Sequence, residues 1–126
     1  MPLWDARQYG NVVGQFRQWA GTDLWDEMLI SFTMLLERGN LCGRPVTAPL
    51  GDGIFELRAN HDNRHGRLLF YFSPSERRLI VVVHGLVKKT KRVPQADIDL
   101  AKRRRAEIER GAPIHVISSL GSHRTH

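Results

Sequence analysis

Apolar residues recur at helical spacing in two consecutive segments near the N-terminus. In residues 11–20 they repeat at intervals of three and four, and Gly21 follows where a C-terminal glycine cap would stand. A second apolar stripe covers residues 25–36 and ends before Gly39. The pattern therefore predicts two N-terminal helices.

Three β-strand candidates follow a loop over residues 40–53 that is rich in glycine and proline. They span residues 54–59, 67–72 and 79–85, and the short turns between them predict an antiparallel meander. The third contains LIVVV, which is apolar on both faces and typical of a central strand with helices packed on the sheet. Because the N-terminal PLWDARQYG is a poor strand, the sheet is expected to have three to four strands.

Pro94 fits the first turn of a last, basic helix that runs to about Arg110. The expected fold class is α+β: two N-terminal helices and a basic C-terminal helix with one small antiparallel sheet. A single domain is predicted over residues 1–110. In the tail, residues 111–126, the segment IHVI offers one short strand or a docking contact.

Composition narrows the class without deciding the function. The 126 residues are 41% apolar and 25% charged, which suits one globular domain. No apolar run approaches the roughly 18 residues of a membrane span, and no signal pattern opens the chain, so a cytoplasmic protein without membrane contact is predicted. The single cysteine, Cys42, excludes an internal disulfide.

The positive charge is concentrated in the second part of the chain. The net charge is +6, but residues 1–50 hold 4 basic and 5 acidic side chains, whereas residues 51–126 hold 15 and 8. Such a one-sided field attracts RNA, DNA or an acidic protein. The alternative is a solvated basic helix that only keeps the protein soluble.

The densest cationic cluster follows the most apolar strand, in the segment HGLVKKTKRVP (residues 84–94). It comprises Lys88, Lys89, Lys91 and Arg92. Such a cluster suits a phosphodiester, whose cleavage builds up negative charge on oxygen. Arg58 and Arg67 flank the preceding hairpin and would add bidentate phosphate contacts if they share a sheet face. A symmetric seven-residue loop pairs Arg58 with Leu68, whereas a shift of one residue pairs the two arginines, and the sequence leaves both registers open.

Three separated segments, DGIFELR, GRLLFYF and HGLVKKTKRVPQADIDLAKRR, stand in the order and spacing of RelE-like and HigB-like toxins. The chain resembles the phage-derived, HigB-like branch of that family over roughly residues 35–105. The resemblance implies the toxin of a type II toxin–antitoxin pair, an endoribonuclease that cleaves mRNA, commonly on the ribosome, without metal or cofactor. It also implies a cognate antitoxin partner, expected to be a helix-turn-helix protein.

The resemblance also supplies site residues. Arg58 and Arg67 match the family's strand arginines and are expected to cradle the phosphate, and Lys88 and Lys89 match its paired lysines. An ordinary lysine, with a pKa of about 10.4, is a poor base, but neighbouring cations lower that pKa, so either lysine is expected to shuttle protons. His84 is a secondary catalytic candidate, with a hydrogen-bonded structural histidine as the favoured alternative.

Further cations are expected to contact RNA. They are Lys91, Arg92, Lys102, Arg103, Arg104 and Arg105. The four on the last helix fit three interpretations: a solvated face, an rRNA-backbone contact, or a seat for an acidic antitoxin segment. The family's C-terminal catalytic tyrosine has no match here, and His115, His123 and His126 are weak substitutes because they lie in the tail.

Other constellations favour structure over chemistry. His61, His65 and Cys42 have no zinc-site spacing, so no metal is predicted. Trp19 and Trp25 fall on apolar stripes and are expected in the core. Two other functions remain open: the same fold acting as a non-cleaving gyrase poison, and a basic nucleic-acid-binding protein whose cations contact phosphates only.

Overall fold

The computed structural model describes residues 3–118, which form an α+β fold with one sheet. The helices are α1 (Val12–Arg38) and α2 (Gln95–Glu109), and the strands are β1 (Asp5–Gln8), β2 (Thr47–Gly51), β3 (Ile54–His61), β4 (Arg64–Phe72), β5 (Leu79–Lys88) and β6 (His115–Val116). The strand order is β2-β3-β4-β5-β1-β6, with β1 parallel to β5 and the other neighbours antiparallel. The α+β class is confirmed, but the sheet is mixed and larger than predicted.

The N-terminal segment forms strand β1, which corrects the prediction of a poor strand there. Its inward side chains are Ala6 and Gln8, both buried. The Gln8 amide donates to the carbonyl of Val116 at 2.9 Å and accepts from the amide of Val13 at 3.0 Å. A buried polar group with both ends bonded is tolerated in a core, so a polar sequence forms a strand that its pattern alone does not favour.

Strand β2 lies in the segment that was expected to be only a loop. It is an edge strand that pairs with β3 alone, and this position tolerates Pro49, which has no N–H to donate to a ladder. The turn to β3 contains Asp52 and Gly53 at φ of 55° and 80°, a conformation that glycine and aspartate accept readily.

Helix α1 spans both predicted helices as one element, and its backbone breaks at Gly21, the residue predicted to end the first of them. Gly21 has φ 77° and ψ 176°, which are not helical values. Arg64 on β4 donates to the carbonyls of Ala20 and Trp19 at 2.6 and 2.7 Å, so it satisfies acceptors exposed by the interruption. Trp19 is 56% exposed there, which corrects its assignment to the core, whereas Trp25 is buried.

The helices cover opposite faces of the sheet. The α1 face carries Leu57, Leu68, Phe70, Ile80 and Val82 under α1. On the α2 face, Ile98 and Ala101 of α2 pack with strand residues Ile54, Leu69, Tyr71, Val81 and Val83. Two independent apolar clusters therefore hold the two layers on the sheet.

Two glycines allow α1 to approach the sheet closely. A Cβ atom on Gly66 would stand 2.8 Å from Cζ of Phe16, and one on Gly85 would stand 3.0 Å from Cβ of the same phenylalanine. Both separations are shorter than side-chain carbon contacts allow. The ring of Phe16 therefore occupies the space that side chains on β4 and β5 would need.

Residues that follow Arg110 also pack on the sheet and its core. Strand β6 pairs with β1, and Ile117 is buried against the α1-side core. A short strand is therefore what the IHVI segment forms, and His115 on it is exposed. His123 and His126 lie outside the described residues. Within residues 3–118, no helix is long and apolar enough to cross a membrane.

Candidate functional site

The β3–β4 hairpin has the register that brings the two predicted arginines together. Its turn is only two residues long, Asp62 and Asn63, at φ of 49° and 64°. This fixes Arg58 opposite Arg67 and Asn60 opposite His65. Directly opposed residues point to the same side of a sheet. The open question of register is therefore settled in favour of the shared face.

A β-bulge in strand β5 adds a lysine to that face. Leu69 pairs with His84 and the next residue, Phe70, pairs with Val82, so one residue of β5 is extra. The extra residue reverses the alternation of the following side chains. Lys88 consequently pairs with His65 and lies on the α2 face, where an unbulged strand would have turned it toward α1.

These pairings assemble one group of side chains at the hairpin end of the α2 face, beyond the part that α2 covers. We call it the hairpin-end cluster: Arg58, Asn60, His65, Arg67 and Lys88. Three adjacent strands supply its members, so their backbones are fixed by ladder hydrogen bonds. Rigid support of this kind favours precise placement of charge against a ligand.

Arg67 is the buried centre of the cluster, with no exposed surface. Its Nε lies 2.9 Å from Oε1 of Glu56, and its Nη1 donates to the carbonyl of Gly66 at 2.8 Å and to Oδ1 of Asn60 at 3.0 Å. Burial lowers the pKa of Arg67, and the Glu56 carboxylate opposes that shift. In this arrangement Arg67 bonds to its neighbours from a fully buried position, and its expected place in a phosphate cradle stays a prediction.

The other predicted cations are placed differently. Arg58 is half-buried, and its Nε is a buried atom with no hydrogen-bond partner among residues 3–118. Lys88 donates to the carbonyl of Arg92 and so anchors the loop after β5. Lys89, Lys91 and Arg92 are exposed in that loop. Residue 89 therefore stands just outside the strand pairing that fixes residue 88.

His84 has partners on both ring nitrogens. Its Nε2 lies 2.7 Å from Oδ1 of Asp97 in the first turn of α2, and Nη1 of Arg104 lies 3.5 Å from its Nδ1. Because arginine only donates, Nδ1 accepts and Nε2–H donates to the carboxylate. This geometry favours the structural interpretation of His84 over the catalytic one.

His65 is the cluster residue that sequence reasoning missed as a functional candidate. It is half-buried, and its Nδ1 lies 2.7 Å from Oδ1 of Asn60. Partial desolvation, followed by the charges of Arg67, Lys91, Arg58 and Lys88, lowers the pKa of the imidazole. A two-residue turn at Asp62 and Asn63 was the available signal, because both residue types tolerate positive φ.

The basic residues of α2 mostly contact the protein itself, and their expected contacts with RNA stay a prediction. Lys102 pairs with Asp52 at 2.5 Å, Arg104 donates to the carbonyl of Val83 at 2.8 Å, and Arg105 donates to the carbonyl of Asp52. Arg104 also lies over the ring of Tyr9 at 4.8 Å. Arg103 is the exposed member of the four.

A groove adjoins the cluster between the β2 edge and the start of α2. Its volume is about 490 Å³. Its lining is formed by Pro49, Leu50, Glu56, Arg92, Val93, Pro94, Gln95 and Ile98. Glu56, 12% exposed at its side chain, connects the groove to Arg67. The lining therefore combines apolar side chains with the polar groups of Glu56, Arg92 and Gln95.

The described residues offer no obvious metal centre. No group of three or more histidine, cysteine, aspartate or glutamate side chains within residues 3–118 is placed to hold an ion. Cys42 is a half-buried free thiol whose pKa is raised by burial.

The protein is thus an α+β domain whose strands present cations at one end of a sheet face. Residues 22–106, two thirds of the chain, match the model of the phage-derived protein Gp49-like family (DUF891). The chain belongs to this family, which is associated with toxin–antitoxin systems and is RelE/HigB-like. No curated protein matches the chain.

Proposed function

We propose that this protein is the toxin of a type II toxin–antitoxin pair, of the HigB-like branch, and that it inhibits growth by cleaving mRNA. The family supports the toxin class and an antitoxin partner. The single observation that carries the nuclease is the convergence of Arg58, His65, Arg67 and Lys88 on one sheet face. RNA cleavage needs a fixed positive field around a phosphate, and this cluster supplies one.

In this proposal the RNA backbone lies across the hairpin end of the α2 face. Arg58 contacts the scissile phosphate, Lys88 and Lys89 bind or protonate its oxygens, and Lys91, Arg92 and Arg103 contact flanking phosphates. The groove beside Glu56 and Arg92 is proposed to take a neighbouring nucleobase, because its lining combines apolar and polar side chains. The buried Arg67 holds the neighbouring side chains of the hairpin-end cluster in position.

The chemistry requires no metal in this scheme. The ribose 2′-hydroxyl attacks phosphorus, and the bond to the 5′-oxygen breaks, which leaves a 2′,3′-cyclic phosphate and a 5′-hydroxyl. Negative charge grows on the nonbridging oxygens during this step. Preorganised cations that cost no rearrangement lower such a barrier most effectively.

Induced expression followed by mapping of mRNA 5′ ends tests the proposal. We expect growth arrest together with new 5′-hydroxyl ends inside coding regions. Arg58→Ala should reduce cleavage about 10²- to 10³-fold, the usual effect of removing one group that stabilises a developing oxyanion. Arg77→Ala is the matched control, because Arg77 is exposed in the turn at the opposite end of β4 and β5.

The alternative functions predict different results. Intact transcripts during arrest would exclude the nuclease. Inhibition of plasmid supercoiling by purified gyrase would then favour a gyrase poison, which shares the fold and does not cut RNA. Retained RNA affinity without cleavage or arrest would favour a simple nucleic-acid-binding protein.

A further inference from the structure

His65 and Asn60 form a hydrogen bond whose direction is set by a third residue. Nη1 of Arg67 lies 3.0 Å from the Asn60 side chain, and an arginine can only donate. The Asn60 atom that faces it is therefore the carbonyl oxygen Oδ1. The same oxygen lies 2.7 Å from Nδ1 of His65. Since Oδ1 accepts only, Nδ1 must carry the proton.

This chain of donors and acceptors selects one tautomer of His65. With the proton on Nδ1, the lone pair of a neutral imidazole is on Nε2. No described residue hydrogen-bonds to Nε2 of His65, although the ring is half-buried beside Arg58 and Lys88. The fold therefore holds an available proton acceptor within the cluster of cations.

The other acid–base groups on this face are less suitable. His84 uses both nitrogens, for Asp97 and Arg104. Glu56 has its Oε1 at 2.9 Å from Nε of the buried Arg67, so this carboxylate is already engaged by a cation of the protein. Among the titratable groups described on this face, His65 alone combines a free nitrogen, partial exposure and a fixed orientation.

We propose that His65 is the general base that takes the 2′-hydroxyl proton during RNA cleavage, with Asn60 and Arg67 as positioning residues. This inference rests on the proposed nuclease function. The 2′-oxygen lone pair forms the new bond to phosphorus while its proton moves to Nε2 of His65. The electron pair of the broken bond leaves with the 5′-oxygen, which takes a proton from the Lys88 ammonium. Exchange with water then restores both side chains.

The electrostatic surroundings suit this role. The groups that face His65 are Arg58 on β3, Arg67 on β4, Lys88 on β5 and Lys91 in the following loop, and all four are cationic. Desolvation and these charges lower the imidazole pKa below its ordinary value of about 6.5, so the ring is neutral at physiological pH. The same cations attract an anionic phosphate toward the neutral imidazole.

The test compares two histidines of one hairpin in purified protein. His65→Ala removes the base, whereas His61→Ala is the matched control, because His61 lies on the opposite sheet face beside Asp23 of α1. We expect His65→Ala to lose about 10²- to 10⁴-fold in single-turnover cleavage of an mRNA fragment in a translation reaction, with RNA affinity within about twofold of the parent. His61→Ala should cleave like the parent.

Two further readouts separate a catalytic from a structural role. The parent rate should fall below a pH that lies under 6.5, and Asn60→Leu should move that limb, because it frees the tautomer. Nitrogen NMR of the parent imidazole, without RNA, should show the Nδ1-protonated form. Free imidazole should partly restore cleavage by His65→Ala.

The outcomes distinguish the two levels of the proposal. Normal cleavage by His65→Ala, or an Nε2-protonated ring in the parent, overturns the role of His65 and leaves the nuclease intact. If the parent itself cleaves no RNA, the proposed function fails and the base has no reaction to serve, whatever the tautomer.

Discussion

The two faces of the sheet differ in how residues that are neighbours in the sequence are packed. On the α1 face, Gly66 and Gly85 leave space for Phe16, and the contact is dry and apolar. On the α2 face, the adjacent Arg67 is equally buried but charged, and it is held by Glu56 and Asn60. At this end of the sheet, one face is therefore held by apolar shape and the other by donors and acceptors.

This difference explains why glycine and cations occur together in the recognisable segments. At the start of GRLLFYF, Gly66 faces α1 and Arg67 faces α2, because successive strand residues point to opposite sides of the sheet. In HGLVKK, Gly85 packs under Phe16, and the bulge before it brings Lys88 to the cluster. Each segment therefore carries one packing requirement and one chemical requirement.

The largest expected effect comes from removing the buried charge. Arg67→Met leaves the Glu56 carboxylate buried without its partner, and breaking such a pair costs about 3–5 kcal/mol. We expect the free energy of unfolding, measured by urea denaturation, to fall by that amount. Arg77→Met, at an exposed position, should change it by less than about 0.5 kcal/mol.

A matched double variant tests whether that cost is the unpaired charge. Arg67→Met combined with Glu56→Gln removes the orphaned carboxylate, so the double variant should be more stable than Arg67→Met alone. An equal loss in both would mean that packing and the carbonyl contacts of Arg67, at Gly66 and Ala59, dominate instead.

A smaller effect is expected on the opposite face. Gly66→Ala places a methyl group against the ring of Phe16, and overpacking of this kind costs about 1–3 kcal/mol. Phe16→Leu should partly relieve the clash, so the double variant should lose less stability than the sum of the single variants. Strict additivity in urea denaturation would show that the glycine contact does not limit the approach of α1.

The sequence predicted the apolar faces better than the polar one. Periodicity placed the α1 stripe, the three central strands and α2, because burial of apolar surface dictates their spacing. It missed β1 and β2, whose pairing depends on a buried Gln8 and on an edge position for Pro49. These features depend on partners remote in sequence, which local pattern does not contain.

The residues of the candidate site were likewise predicted in part. Arg58 and Lys88 were found from charge and from the family resemblance, and both lie in the cluster. The role of His65 was missed because it depends on the hairpin register and on Asn60. The contacts of the α2 cations with Asp52 and the Val83 carbonyl were also missed, because composition does not reveal such partners.

The smallest effect concerns the exposed ion pair that anchors α2 to the β2–β3 turn. The hydrogen bond from Lys102, and then its charge, lower the pKa of Asp52 below the ordinary value. A carboxyl with a lowered pKa in the folded state adds stability above its unfolded pKa, about 3.9, and loses it as the pH falls through the folded value.

Lys102→Met should therefore lower the melting temperature slightly at pH 7, and the difference from the parent should shrink below about pH 4. Added salt should shrink it too, because exposed pairs are screened. A difference that persists in acid would show that Lys102 stabilises α2 through packing of its aliphatic stem on the sheet. Apolar packing would then stabilise both faces, and the ion pair would not distinguish the α2 face.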